Sequence, residues 1–361
     1  MANEDDAKQV FDRLFRRMGG RADIVPRDSS RLSSLLTWYQ QRCRNALPDP
    51  SFHFHYVNNL RVNAYAAAHG GLTLIGLNLG TPIAFLKLYE TLLSHPGILP
   101  DVGDPTKDPI WEADLSNADL QDGMADIFPK GVQRITTDQT RATFIHHCTQ
   151  FAMDFIYWHE IFHALCGHLG YRAARCGEQA GFAELGGRSE LSAQTSQALE
   201  MDADMQAAVL TGSIWLEEPL MVGLPFHNAE EALRTWAFAL AVVFIVFDHS
   251  NAAIQDYHHA THPHPAIRAA IAFNALGAFA RKNAPHQEAM IDRAWEKSAS
   301  ECQNLTSLFK LRPAWIGSWE SEPDVATWST EFLVDQLESI KSEVRRHSNW
   351  TLLNRLGLSL M

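Results

Sequence analysis

The sequence predicts an α+β fold that is mostly α, with one small sheet near its beginning. Three observations carry this. Apolar residues recur at helical spacing through most of the chain, β-type runs are confined to about 52–77, and no internal repeat or low-complexity tract intervenes. With 361 residues, 46% hydrophobic and 20% charged, there is ample material for a packed core. Val10, Leu14 and Met18 lie at helical spacing, and a second helical segment surrounds Leu32–Tyr39. Pro48 and Pro50 break that pattern, and the short runs Phe52–Val57, Leu60–Tyr65 and Leu72–Leu77 follow as strands. Asn58-Asn59 and Gly70-Gly71 separate them as turns. Pro82–Leu93 returns to helix, and Pro, Gly and Asp then crowd an irregular insertion over 95–137.

Beyond the insertion, one long helix is expected from Thr140 to about Arg175, then a Gly-rich loop over Gly177–Arg188. Further helices are expected at Thr195–Leu210 and Glu231–Phe247. A His/Pro-rich connection, Asp256–Pro265, leads into three more helical segments. The expected organisation is an N-terminal helical extension over 1–50, a core over 51–282 holding the 95–137 insertion, and a C-terminal helical region over 283–361.

Charge narrows the function. Thirty Lys and Arg against 42 Asp and Glu give a net charge of −12, which argues against nucleic acid or an anionic membrane surface as partner. The acidic start, Met1-Ala-Asn-Glu-Asp-Asp, has no apolar stretch of a secretory signal. Five scattered cysteines without a CxxC pair fit a reducing compartment. The longest apolar run, Trp236–Phe247, would rise only about 18 Å as a helix against about 30 Å of bilayer core. It reads as a buried core helix, so no transmembrane segment is expected and the protein reads as soluble and cytoplasmic.

The chemistry is carried by His159-Glu160-Ile161-Phe162-His163, an HExxH motif within the long helix. Spacing of i, i+4 puts both imidazoles on one helix face, where they can share one zinc ion. Glu160, one position on, can reach a water on that ion without coordinating it, which suits a general base. Two histidines leave the site one protein ligand short. A metzincin would need Gly at 166 and His at 169, where this chain has Cys166 and Leu169. Gly167 and His168 are offset by one residue, a rotation of about 100° on a helix. Glu200-Met-Asp-Ala-Asp204 supplies the alternative: Glu200 as third ligand, with Asp204 one turn on to accept the free N–H of a bound imidazole. Glu184 and Glu190 compete as ligands from a Gly-rich setting that positions a side chain poorly, and Cys166 shares the metal face at i+7 but reads as a small core residue. His53, His55 and His69 read as satisfied polar groups, and His258, His259 and His264 as part of a His-rich loop.

Four stretches, in order, resemble the HtpX, BepA and CAAX-prenyl-endopeptidase group of gluzincin metallopeptidases. Asn63–Leu77 is similar to the family's Asn-Ala-Phe-Ala…Gly-Gly-x-Ile segment; His159–His163 is followed by His168, nine residues after the first histidine. Glu200–Asp204 matches ExxAD, and Thr261-His262-Pro263 with Arg268 resembles His-Pro-x-x-x-x-Arg. The likeness covers roughly 55–275. Trp158, the long insertion and the absence of membrane helices depart from it, and both terminal regions match nothing in it.

The resemblance implies a zincin-like fold and zinc-dependent hydrolysis of peptide bonds, with one zinc per chain held by His159, His163 and Glu200. Glu160 would be the general base, with His262 and nearby Arg268 stabilising the oxyanion. The segment Gly71, Leu72, Thr73, Leu74 and Ile75 would line the cleft as an edge strand and pair with an extended peptide backbone. Thr261-His262-Pro263 is equally explained as a turn and helix start. The expected partner is a protein or peptide substrate, with a regulatory protein also in view. Two other readings stand beside this one. The first is a dedicated regulatory or phage-defence-type protease of narrow specificity, favoured by the unmatched termini. The second is a non-catalytic zinc-binding sensor or interaction module, which would have no need of Glu160.

Overall fold

The β-type runs pair into a sheet covered on both faces. The computed structural model describes residues 4–22, 31–47, 49–108, 136–176, 181–183, 191–216, 226, 228–247, 260–308 and 332–355. Strands β1 (Phe52–Val57), β2 (Ala64–His69), β3 (Leu72–Asn78) and β4 (Gly181–Ala183) form one sheet in the order β1-β3-β2-β4. β1 runs parallel to β3, and β2 is antiparallel to both β3 and β4. Gly70 and Gly71, with φ of 58° and 81°, make the two-residue turn between β2 and β3, where a positive φ at both positions matches the strand twist.

β2 starts later than the expected Leu60–Tyr65 run. Asn59 Oδ1 accepts from Arg61 N at 2.9 Å and Thr81 Oγ1 accepts from Asn63 N at 3.0 Å, so the segment before Ala64 is a fastened turn.

Period-2 alternation sorts the strand side chains between two layers. Helix α1 (Glu4–Phe15) lays Ala7, Phe11 and Phe15 on Val57, Tyr65, Leu72 and Leu74. The opposite faces, including Phe54, Tyr56, Ala64, Ala66, Ile75 and Leu77, join the main core. There α2 (Arg31–Ala46) packs along β1, α3 (Gly80–Leu93) packs against α4 (Gln139–Leu165), and α4 lies against β2 and β3. Burial on both faces is why these strands read as almost continuous apolar runs.

The long helix expected over 140–175 is two helices. α4 ends at Leu165 and α5 (His168–Cys176) begins after Gly167, whose φ is +93°. A Cβ at 167 would stand 2.4 Å from the Val344 carbonyl oxygen, so only glycine permits this bend beneath the C-terminal chain. The remaining helices are α6 (Ala193–Ser213), α7 (Ala229–Phe247), α8 (Pro265–Asn283), α9 (Glu288–Leu308), α10 (Val334–Arg345) and α11 (Trp350–Arg355). α6 packs on α4, α8 and α10, and α7 packs on α4, α8 and α9. α7 contains the apolar run 236–247 and is the buried core helix its composition predicts. Among the described residues no helix is long and apolar enough to cross a membrane, and the five cysteines are unbridged.

Both terminal regions are fastened to the core. Arg42 of α2 pairs with Asp154 of α4 at 2.8 and 3.2 Å, and Ser348 Oγ donates to the Cys166 carbonyl at 2.6 Å.

Of the irregular insertion, residues 109–135 lie outside the described residues. Residues 95–102 are gathered around one side chain. Arg141, fully buried, donates from Nε to Leu93 O (2.8 Å), from Nη1 to Leu99 O (3.0 Å) and Val102 O (2.9 Å), and from Nη2 to His95 O (3.1 Å) and Ile98 O (2.8 Å). Five donors thus meet five carbonyls, two of which, His95 O and Leu99 O, also accept from the backbone N–H of Ile98 and Val102. Arg141→Met should therefore cost about 3 kcal/mol or more, read as a lower urea midpoint at unchanged slope.

Candidate metal centre

α4 and α6 meet where each carries its acidic or imidazole face. Ser192 caps α6 by accepting from Thr195 N at 3.2 Å, which fixes the helix start two turns before Glu200. His159 Nε2 lies 3.0 Å from His163 Nε2 and 3.2 Å from Glu200 Oε2, and His163 Nε2 lies 3.5 Å from Glu200 Oε1. An ion bound tetrahedrally at about 2.0–2.1 Å separates its ligand atoms by about 3.3–3.4 Å. The three contacts bracket that spacing, and all three residues are buried. This group could hold a metal ion.

Its surroundings orient it. Asp204 Oδ1 lies 2.8 Å from His159 Nδ1, where a proton on Nδ1 would leave the Nε2 lone pair pointing at the centre. Arg268 donates to Asp204 from Nε at 2.7 Å and from Nη2 at 2.9 Å, and its guanidinium lies over the Phe244 and Phe247 rings at 5.4 and 5.6 Å. On the other side, His163 Nδ1 is 3.0 Å from His168 Nδ1, and His168 Nε2 is 3.0 Å from Asp202 Oδ2. Arg345 Nη1 stands 3.0 Å from that same Asp202 oxygen.

The protonation states suit cation binding. Burial alone would raise the Glu200 carboxyl, but the charges of His262 and His163 and hydrogen bonds from His159 and His163 hold it well below the usual range. Burial lowers His163 to about 4, against the opposing pull of Glu200. Burial also opposes ionisation of Asp202, which His168 and then Arg345 nevertheless keep well below the ordinary carboxyl value. An ionised Glu200 carboxylate and a neutral His163 imidazole are ligand forms a metal needs.

Glu160, next to His159 in the chain, is 1% exposed, and its charge is close enough to Tyr65 of β2 to add to the effect of burial in raising that phenol. His262 Nδ1 contacts Thr261 Oγ1 at 2.9 Å, and its Nε2 lies 3.5 Å from Glu200 Oε2, at the edge of the centre. The turn-and-helix-start reading of this stretch also describes it, because His264 accepts from Ala266 N at 3.1 Å and Pro265 opens α8. The buried Arg268 guanidinium is engaged by Asp204 through two hydrogen bonds. Glu184, Glu190, His258 and His259 lie outside the described residues.

Another placement is corrected by the sheet order. Leu72, Thr73, Leu74 and Ile75 belong to β3, which is interior: Thr73 pairs with Phe52 of β1 and with Ala68 of β2, and Gly71 is in the hairpin turn. Thr73, Leu74 and Ile75 are paired with a strand on both sides, so they offer no edge for a peptide. The strand between β3 and the metal helices' side is β2, whose Tyr65–Ala67 are covered by β4.

Sequence reasoning missed three residues. His168 was visible only as a spacing, Asp202 only as filler between Glu200 and Asp204, and Arg345 not at all. Together with Cys166, His168 and Asp202 form a second buried group with ligand atoms within 4.8 Å, but Arg345 already supplies the positive charge there. Comparison with protein-family models, curated proteins and solved structures finds no match to this chain.

Titration with Zn²⁺ should show one ion per chain, and Glu200→Ala should remove most of that binding. A chelator should lower the Tm of the wild type and leave that of Glu200→Ala nearly unchanged.

Proposed function

We propose that the chain is a zinc-dependent endopeptidase. The observation that supports it best is the convergence of two imidazole nitrogens and a carboxylate oxygen within 3.5 Å, with Glu160 adjacent to one of the ligands. Two nitrogens and one oxygen at tetrahedral spacing, with an acid beside them that is not a ligand, make the donor set of a hydrolytic zinc site. The motifs that resemble the gluzincin group fall on these same residues. When bound, zinc polarises a carbonyl oxygen and lowers the pKa of a water molecule toward neutrality.

The chain's own groups then have distinct tasks. Glu160 takes the proton from the attacking water and returns it to the leaving amine. His159 and His163, each held through Nδ1, keep their Nε2 lone pairs directed inward. His262, anchored by Thr261 through Nδ1, presents Nε2 at the rim, where a developing oxyanion needs a donor. Among the described residues β4 is the edge strand on the side of β2 and α5, where an extended peptide would add to the sheet.

A second reading has one observation in its favour. All three ligands and Glu160 are at most 2% exposed, and closed metal sites are the structural kind. A zinc-binding sensor or interaction module would use such a closed centre without turnover.

Glu160→Gln distinguishes the two. In the endopeptidase it should retain zinc and lose at least about a hundredfold in cleavage of a casein or peptide-library substrate. In the module there is no cleavage to lose. His262→Ala should lower kcat by about a hundredfold with zinc content unchanged.

A further inference from the structure

His168 touches neither the ligand centre nor solvent, yet it is fully buried between a proposed ligand and a carboxylate. The chain of contacts has a direction that chemistry fixes. Asp202 is bonded on one side by Arg345, which only donates, so the carboxylate accepts from both neighbours. The His168 proton must therefore reside on Nε2, 3.0 Å from Asp202 Oδ2. If the His168 ring carries that one proton only, its Nδ1 presents a lone pair to His163 Nδ1 at 3.0 Å. A hydrogen bond there requires the proton on His163 Nδ1, and His163 Nε2 then carries the lone pair that faces His159 and Glu200.

We infer that His168 is a positioning residue that sets the tautomer and direction of His163, with Asp202 and the C-terminal Arg345 as its anchor. The inference rests on reading His163 as a metal ligand. The bend at Gly167 is what makes the relay possible. On an uninterrupted helix, five residues turn about 500°, so His168 would point about 140° away from His163. The break at Gly167 instead brings the two rings to a centroid separation of 5.1 Å in an edge-on arrangement. The glycine and Arg345 depend on the same piece of chain, because Val344 stands against Gly167. Docking of 344–348 on the end of α4 therefore places both the bend and the anchoring cation.

The result is a centre whose two imidazoles are set by two carboxylates of one helix. Asp204 sets His159 directly, and Asp202 sets His163 through an intervening ring. Each carboxylate is clamped by an arginine from a later helix.

The test uses the full chain with Zn²⁺ alone as probe, in the wild type, His168→Ala and His168→Asn. Asn places a carbonyl oxygen near the position of the imidazole Nδ1, so it can still accept from His163; Ala cannot. Zinc affinity, measured by competition with a chromophoric chelator, should fall about 10–100-fold in His168→Ala and stay within about threefold of wild type in His168→Asn. Histidine ¹⁵N spectra of the zinc-free protein give a readout independent of metal and activity: His163 should be the Nδ1–H tautomer in wild type and His168→Asn. Unchanged affinity in His168→Ala, equal losses in both variants, or an Nε2–H tautomer at His163 in wild type would overturn the inference. Failure of the wild type to bind Zn²⁺ would instead sink the metal reading on which it stands.

Discussion

The contact between α4 and α6 gathers four carboxylates, Glu160, Glu200, Asp202 and Asp204, into a region where none is more than 2% exposed. Ionised groups withdrawn from water are costly unless each is paired and hydrogen-bonded. Most of the surrounding architecture answers that demand. Arg268 reaches Asp204 from α8 with two hydrogen bonds, and Arg345 reaches Asp202 from the end of α10. Helices that look peripheral in the sequence are thus part of the electrostatic balance of the centre. The same logic operates away from the site, where Arg141 holds residues 93–102 by their carbonyls. Arg234 likewise joins Asp101 to Glu301 from within α7.

What could be read from the sequence follows from which relations are local. His159 and His163 are one helical turn apart, as are Glu200 and Asp204, so their common faces are visible in spacing alone. Asp202 sits two residues from Glu200, about 160° round the same helix, and so points to the side that spacing assigns to no one. Its partner Arg345 is 143 residues away, and nothing local marks it. His168 was legible as a residue but not as a direction. Its direction depends on Gly167 leaving the helical conformation, and that depends on Val344. Glycines are tolerated inside helices often enough that the composition of 140–175 alone favours one helix.

The sheet shows the same division. The β2–β3 hairpin is announced by Gly70-Gly71, whereas the parallel pairing of β1 with β3 is non-local and carries no turn signal. The resemblance implied that Leu72–Ile75 is an edge strand, which the hairpin alone would have allowed. β1 supplies the second neighbour and makes β3 interior. β4 lies in a stretch whose glycines read as loop, and three residues are too few to show a period. The expectation of a sheet near the start was sound because composition decides it; its order was not available because topology decides that.

One consequence concerns the strength of the proposed centre. Carboxylates behind the imidazoles make them better electron donors and fix their direction, yet unneutralised they would also add negative charge around the ion. Here both outer carboxylates carry an arginine partner, so each outer pair is close to neutral. Glu200 is then the principal net charge among the ligands, and a divalent ion would keep about one unit of positive charge for polarising a carbonyl. The two imidazoles also differ: His159 bears directly on a carboxylate, while His163 meets one only through the His168 ring. The arginines from α8 and α10 therefore do more than stabilise the fold. In the proposed centre they would let the carboxylates aim the ligands without cancelling the charge of the ion.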